Sequence, residues 1–565
     1  MPTIQFRTAG LSATVEVPEG TSLLEASRRS GLAVEAPCNG VGTCGKCRVR
    51  IDAPAHVRHP PGPADPRDVL ACQAEVAGDL VVEIPRTSLT GLRILAEGLS
   101  SKVAVEPRIR KQFRPETGRT EVFSGAGLLD SEPGDTAGES FGLVVDIGTT
   151  TLVASLVDLA SGQERLSRSA LNPQTRHGQD VLTRIQMGST AAGLERLQGD
   201  LMAELNRLTG SLCTGSGVAP GCIHEAVFSG NTVMLHLAAG ADPRSLGRFP
   251  YTPVLTGHQY LEARDLGLGI APRGQVYLPP VLSAYVGADI VSGLLATELH
   301  RRPGVVLFVD IGTNGEMVLS VEGRLTATST AAGPAFEGMN IACGMRASAG
   351  AVERFAVDGS DILVETIGAG EPVGLCGSGL LDLVGELARH GSLDRNGRFA
   401  RAGQHPHPGL GRRLESRDGR TVFQVAGPVF LTQKDVRQVQ LAKGAVRAGI
   451  DLLLGSQGLV PAQVDQVLIA GSFGYHLRTP TLVNLGLVPE AFADRVTFVG
   501  NTSQSGGRAF LVNARSRDDM AALASRVRVL ELANDPAFEK TFVAAMAFPA
   551  PGGPPEGFLK YFGKK

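Results

Sequence analysis

The chain of 565 residues is 43% hydrophobic and carries a formal net charge of −2. That length allows about three or four domains of ordinary size, and the near-neutral charge speaks against a nucleic-acid partner. No run approaches the roughly 18 apolar residues a membrane span needs, and Met1–Gly10 has no basic segment leading into an apolar core, so the expectation is a cytoplasmic protein with no membrane partner.

In the first residues, Thr3–Arg7 and Ala13–Val17 alternate like the strands of a hairpin, Ser22–Ser30 has the pattern of a helix, and Leu80–Ile84 that of a closing strand. Eight cysteines are too sparse for a disulfide scaffold, yet four of them, Cys38, Cys44, Cys47 and Cys72, fall within this segment. Thiolates spaced C-x5-C-x2-C with one distant fourth suit a [2Fe–2S] cluster: one loop wraps several ligands around the irons and a separate segment closes the last corner. Gly40, Gly42 and Gly45 let the loop curl so that backbone N–H groups face the sulfurs. Residues 1–90 are therefore expected to form an α+β ferredoxin-type (β-grasp) domain. Five residues between the first two cysteines resemble the adrenodoxin-like branch more than the plant type. Zinc is the competing reading, although zinc sites commonly pair two short C-x2-C knuckles and only one is present.

Residues 91–140 are rich in proline and glycine, with a basic patch at Arg108, Arg110, Lys111 and Arg114. They are expected to be a linker with a little local structure, a tether of roughly 50 residues reaching about 35–40 Å if flexible.

From Phe141 to Asp158 the chain reads FGLVVDIGTTTLVASLVD: an apolar strand ending in Asp146, a turn through Gly148, Thr149 and Thr150, and a returning strand. Asp180–Met187 and Leu194–Leu208 follow as amphipathic helices, then a strand at Ala226–Phe228 running into SGNTVMLHL. His236 there is read as a packing residue. Asp289 opens a later helix, where the helix dipole favours a carboxylate; a metal-side or water-orienting role is the alternative.

At Val305–Val321 the hairpin returns as VVLFVDIGTNGEMVLSV, with Asp310, Gly312, Thr313 and Asn314 in the turn region. A glycine turn lets N–H groups point at an anion, and threonine hydroxyls add donors. A carboxylate at the strand end cannot hold a phosphate, so its natural task is Mg²⁺. Two such hairpins across a cleft would grip a metal–triphosphate from both sides. Neither is a Walker loop, because G-x-x-x-x-G-K-[ST] is absent and strand leads to strand.

A third piece is QVLIAGSFG at Gln466–Gly474, a strand entering a glycine turn at Gly471 and Gly474. It follows a helical stretch, Lys434–Gly455, with apolar residues at Val436, Val439, Ala442, Val446, Ile450 and Leu453. Two phosphate hairpins and then a glycine turn resemble the acetate and sugar kinase, chaperone and actin superfamily of ATPases. GPAFEG at Gly333–Gly338, LCGSGLLD at Leu375–Asp382 and QKDVRQVQLAKGAVRAGI at Gln433–Ile450 resemble, more narrowly, the reductive activators of corrinoid proteins. Only the serine at Ser472 departs from that pattern, where glycine is commoner.

The resemblance implies a multidomain chain: the ferredoxin-type domain, the linker, and a duplicated α/β actin-like ATPase fold. A middle domain at 141–220 carries the first hairpin, and residues 221–565 carry the second hairpin and the adenosine turn. It implies ATP and Mg²⁺ besides the cluster, with Asp146 and Asp310 organising the metal, Gly148, Thr149, Thr150, Gly312, Thr313 and Asn314 holding phosphates, and Gly471 and Gly474 admitting adenosine. The implied activity is ATP-dependent one-electron reduction of Co(II) to Co(I) in a corrinoid methyltransferase protein or a cobalamin-dependent methionine synthase, fed by a low-potential donor, with a homodimer possible. Plant-type clusters lie near about −400 mV and each 59 mV of one-electron deficit costs a factor of ten, so ATP has to shift the balance. Two alternatives remain: a small-molecule kinase with a fused regulatory iron–sulfur domain, and a ferredoxin electron carrier whose conformation nucleotide controls. Cys213, Cys222, Cys343 and Cys376 raise the further idea of a [4Fe–4S] cluster shared between subunits, as in dehydratase activators; the reading adopted is packed or nucleotide-site thiols.

Overall fold

A computed structural model describes residues 1–8, 11–30, 34, 47–59, 65–84, 103–178, 180–345, 347, 349–359, 361–401, 405, 407–471, 477–532 and 535–551. The alternation at the start becomes an antiparallel hairpin of Thr3–Thr8 and Leu11–Glu16, with Ile4 and Phe6 buried and Arg7 exposed. Leu80–Glu83 joins Thr3–Thr8 in parallel, and Arg48–Ile51 and Asp68–Leu70 extend the sheet to five strands. The helix Leu23–Arg29 lays Leu23, Leu24 and Ala26 against it, and these close a small core with Val49, Val69, Val82 and Ile84. This is the ferredoxin outline expected from the sequence.

The expected linker differs. Ile109–Arg114, Arg119–Ser124 and Gly127–Pro133 form a three-stranded antiparallel sheet docked on the following body. The glycines read as spacer elements make its turns, Gly118 at φ 63° and Gly125 at φ 63°. Few apolar residues anchor it: Ile109 and Val122 enter a core, while the Lys111 ammonium is buried against Glu132 at 2.8 Å, and Glu132 also meets His224 Nε2 at 3.0 Å. A sheet that docks through Ile109, Val122 and a set of polar contacts, among them Glu132 to His224 and Ser124 to Gln275, has the composition of a spacer. Residues 85–102 lie outside the described residues.

The duplication is visible in the topology. One six-stranded sheet runs, in order, Glu164–Leu171, Thr151–Asp158, Phe141–Ile147, Ile223–Gly230, Gln275–Leu278 and Gln259–Glu262. The other runs Val496–Gly500, Gln466–Ala470, Val305–Ile311, Gly315–Val321, Arg324–Thr330 and Arg528–Val529. Each has a three-stranded antiparallel meander whose first strand pairs in parallel with a later strand, and that strand with one later still. Ile223–Gly230 and Gln275–Leu278 belong to the first sheet, so a division at residue 220 cuts through it.

Helices cover both sheets. Ala191–Ser216 packs Leu197, Leu201, Leu205 and Leu208 on the first, and Gln433–Gly455 packs its predicted apolar stripe on the second, started by a capping box between Thr432 and Asp435. A third core joins the halves, where the helices Ala288–Thr297 and Thr502–Val512 cross. At that crossing a Cβ on Gly506 would lie 1.9 Å from the Ser292 carbonyl oxygen, so only glycine fits.

Candidate nucleotide site and cluster site

Phe141–Ile147 is apolar except at Asp146, which the strand delivers half-buried to the end of the sheet beside the turn. Asn501 and Ser503, at the start of Thr502–Val512, reach it from the other half of the chain: Asn501 Nδ2 donates to Oδ2 at 2.8 Å and Ser503 Oγ to Oδ1 at 2.7 Å. Asp310 holds the equivalent place on the second sheet. Gly471, at φ 116°, packs behind it: a Cβ there would come within 2.3 Å of the Ile311 carbonyl oxygen and 3.2 Å of Asp310 Oδ1. Gly474 and Ser472 lie outside the described residues.

Two more carboxylates share this place. Asp289 stands in the first turn of Ala288–Thr297, and Glu316 is the cross-strand partner of Asp310 in the second hairpin. Burial, then Asp289 and Asp146, pushes Asp310 up to about 8. Asp289 is pushed up to about 7 by burial with Asp146 adding to it, and Glu316 goes well above its ordinary range through burial and the charges of Asp289 and Asp310. Asp146 is raised by burial, against which Asn501 and Ser503 work. These carboxylates repel one another, an oxygen chemistry of the kind a hard divalent cation takes, but among the described residues no three of them are grouped closely enough to hold a metal ion by themselves. Glu316 was missed in the sequence; the signal was a turn one residue shorter, 312–314 against 148–151 in the first hairpin, which sets position 316 opposite 310 where the first hairpin sets Val153 opposite Asp146.

The two turns are shaped differently. In the first, Gly148 N–H donates to the Thr151 carbonyl at 3.0 Å, and a Cβ on Gly148 would be 2.5 Å from that oxygen. Its carbonyls and hydroxyls are braced from behind: Asn172 Nδ2 donates to Gly148 O at 2.8 Å, Arg184 Nη2 to Thr149 O at 2.6 Å and Asn231 Nδ2 to Thr149 Oγ1 at 3.0 Å. With its carbonyls occupied from behind, the turn is held in one conformation. In the second, Gly312 N–H donates to Asn314 O at 2.9 Å, and the Asn314 side chain bonds Glu316. The hairpins meet where Thr150 Oγ1 and Thr313 Oγ1 are 3.5 Å apart.

In the ferredoxin-type domain, Cys47 and Cys72 bring their sulfurs to 3.2 Å without a disulfide. Two thiolates on one tetrahedral metal with bonds of about 2.3 Å would be about 3.7 Å apart, so the pair fits a shared iron with small adjustment. Cys38 and Cys44 lie outside the described residues. Cys213 is packed in the first core, and Cys376 is buried with its thiol bonded to Val352 O at 3.2 Å. Cys222 Sγ meets Glu139 Oε2 at 3.3 Å, and Cys343 is half-buried. His236 is a packing residue, fully buried with both ring nitrogens bonded to backbone.

A [2Fe–2S]-type ferredoxin domain followed by an actin-like ATPase is the class these features define. The model of the C-terminal domain of RACo, the ASKHA domain, matches residues 304–554; that of the RACo middle region matches 141–302; that of the 2Fe-2S iron-sulfur cluster binding domain matches 6–77. Corrinoid activation enzyme RamQ of Eubacterium limosum is 28% identical over 592 residues, 95% of this chain and 98% of that protein. The Co(II) methylated amine-specific corrinoid protein reductase of Methanosarcina barkeri is 21% identical over 458 residues, 74% of this chain and 79% of that one. A solved structure of a reductive activator for corrinoid, iron-sulfur protein superposes with a TM-score of 0.74 at 31% identity and 100% coverage of both chains. The chain belongs to the RACo family of reductive activators.

Proposed function

We propose that this protein restores a corrinoid protein to its Co(I) state by a one-electron reduction of Co(II) driven by Mg-ATP. The observation that carries the reading is the union, in one chain matched end to end by a reductive activator, of a ferredoxin-type domain and a duplicated ATPase body with paired phosphate hairpins. When bound through Cys38, Cys44, Cys47 and Cys72, the cluster supplies a low-potential one-electron carrier. Asp146 and Asp310, with Glu316 and Asp289 beside them, would hold Mg²⁺, which neutralises the charge of the triphosphate. Thr149 and Thr150 offer hydroxyl donors to the phosphates, while Thr313 and Asn314 line the second turn with their own donors held by Glu337 and Glu316, and the Gly148 and Gly312 N–H groups close the turns themselves. Gly471, where the close Ile311 carbonyl admits only glycine, is assigned to the adenosine side.

Because these contacts come from both halves of the ATPase body, nucleotide favours the closed arrangement of the two sheets. A conformation gripped by ATP then selects the state of the corrinoid partner it fits best, and only that difference in affinity moves the electron uphill. The partner we favour is a methyltransferase corrinoid protein, with a cobalamin-dependent methionine synthase as the other candidate; the reduced donor is a low-potential carrier and the working form a homodimer in the cytoplasm. Among the described residues no helix is long and apolar enough to cross a membrane.

The test is anoxic. The reduced protein is mixed with a methyltransferase corrinoid protein in its Co(II) state, and Co(I) absorbance is followed with and without Mg-ATP. Co(I) that forms only with ATP is expected, with Asp310→Ala abolishing the stimulation. Equal rates without nucleotide, or unaffected stimulation in Asp310→Ala, would sink the reading.

A further inference from the structure

The GPAFEG turn has no part in the contacts above, although it lies at the cleft. Pro334–Glu337 form a single tight turn after Gly333, whose N–H donates to the Thr313 carbonyl at 2.8 Å and so ties it to the second hairpin. Phe336 is fully buried beneath it. Gly338 closes it at φ 78°, where a Cβ would lie 2.8 Å from the Met345 carbonyl oxygen. Gly377, at the start of the next helix, would place a Cβ 1.8 Å from Phe336 O. The turn is fixed on three sides, and the half-buried Glu337 side chain is aimed by it.

Glu337 Oε1 accepts the Thr313 hydroxyl proton at 2.5 Å. Its Oε2 has no hydrogen-bond partner among the described residues. Thr313 Oγ1 is in turn 3.5 Å from Thr150 Oγ1 of the first hairpin, so the carboxylate stands at the junction of the two phosphate turns. A negative charge is out of place there. It would repel a triphosphate unless a proton-bearing molecule stood between them. Thr313 has one hydroxyl proton and spends it on Glu337, which leaves its lone pairs facing the gap as acceptors. Two acceptors side by side at a phosphate site suit a water molecule. Arg184, buried behind Thr149, is drawn down to about 10 by burial, and Asp180 and Glu337 are the carboxylates whose charge opposes that shift.

We propose that Glu337 is the catalytic base for ATP hydrolysis, holding the attacking water together with Thr313. The water oxygen bonds to the terminal phosphorus as the bond from that phosphorus to the ADP oxygen breaks, and ADP leaves with the electron pair. The water proton passes to the Glu337 carboxylate, which later returns it to phosphate or solvent. The inference rests on the nucleotide site proposed above and deepens it: hydrolysis has its own residue, separable from binding.

The experiment uses the full-length chain with Mg-ATP, measuring nucleotide affinity by equilibrium dialysis and turnover by phosphate release. Glu337→Gln keeps the acceptor for Thr313 but is not a base. The expected result is a loss of at least about 100-fold in kcat with affinity essentially unchanged, and a lost rise of rate with pH. Glu337→Asp, a shorter base, should recover part of the rate, and matching melting temperatures exclude misfolding. Wild-type-like turnover in Glu337→Gln overturns the proposal while leaving the nucleotide site standing. Failure of the wild-type chain to bind Mg-ATP overturns both, and binding by the wild type without any phosphate release overturns the base alone.

Discussion

Asp310 and Glu316 face each other directly across the second hairpin, two carboxylates in one cross-strand pair. Like charges so placed cost a sheet stability, on the order of 0.2–1 kcal/mol, unless a cation lies between them or one is protonated. With no cation Glu316→Gln should therefore leave the protein as stable or slightly more so, and with Mg-ATP markedly weaker in nucleotide affinity, by about tenfold or more. Melting curves in chelator and in Mg-ATP check both halves. A variant that loses stability in chelator and keeps full affinity would show that Glu316 holds the hairpin together and has no metal role.

Cys72 packs against the core of Ile4, Phe6 and Val82, which is separate from the cores of the ATPase body. Cys72→Ser should strip the visible absorbance of the cluster and all electron transfer to cobalt, while ATP turnover stays within about twofold of wild type, as expected of sites in independently packed units. Parallel optical spectra and phosphate-release rates decide it. Loss of ATPase activity along with the cluster would mean that the two units fold or work as one.

Gly506 meets Ser292 at the crossing of the two helices that join the halves, and a Cβ would sit 1.9 Å from the serine carbonyl. Gly506→Ala must push the helices apart. We expect a stability loss of about 1–3 kcal/mol, as for overpacked interiors, and a larger fractional fall in ATP-stimulated reduction than in unstimulated reduction. Denaturant unfolding gives the first and cobalt reduction the second. Unchanged stability would show that the crossing yields without strain.

The sequence carried most of this architecture wherever a pattern had one physical meaning. The doubled hairpin showed itself because Asp-x-Gly-Thr after an apolar strand occurs twice, and the helix Gln433–Gly455 through the period of its apolar residues. Three things were hidden for identifiable reasons. Asn501 and Ser503 bond Asp146 across 355 and 357 positions, a contact only the fold creates. Glu316 required the register of the hairpin, not merely its existence. The sheet Ile109–Pro133 hides part of its hold in charged residues, because Lys111 is buried by Glu132 although lysine alone reads as surface.

His236 gives the pH dependence with the clearest sign. Its Nε2 accepts from the backbone N–H groups of Val254 and Leu255, each at 3.1 Å, which requires that nitrogen unprotonated and leaves Nδ1–H to donate to Thr232 O at 2.8 Å. Burial draws its pKa below the ordinary 6.5, opposed by the Thr232 carbonyl and by Asp242. The folded state therefore binds fewer protons than the unfolded chain in the window below 6.5. The stability it contributes is complete above that value and lost as pH falls, at up to about 1.4 kcal/mol per pH unit for one proton. Protonation also breaks both loop contacts at once, so Tyr251–Leu255 should loosen first. His236→Gln keeps an acceptor for one of the two N–H groups and cannot titrate. It should be less stable than wild type at pH 7.5 by about 1–3 kcal/mol, and the gap should narrow toward pH 5.5. Denaturant unfolding at the two pH values measures this, and a constant gap would mean that His236 binds protons equally in the folded and unfolded chain and that the acid sensitivity lies elsewhere.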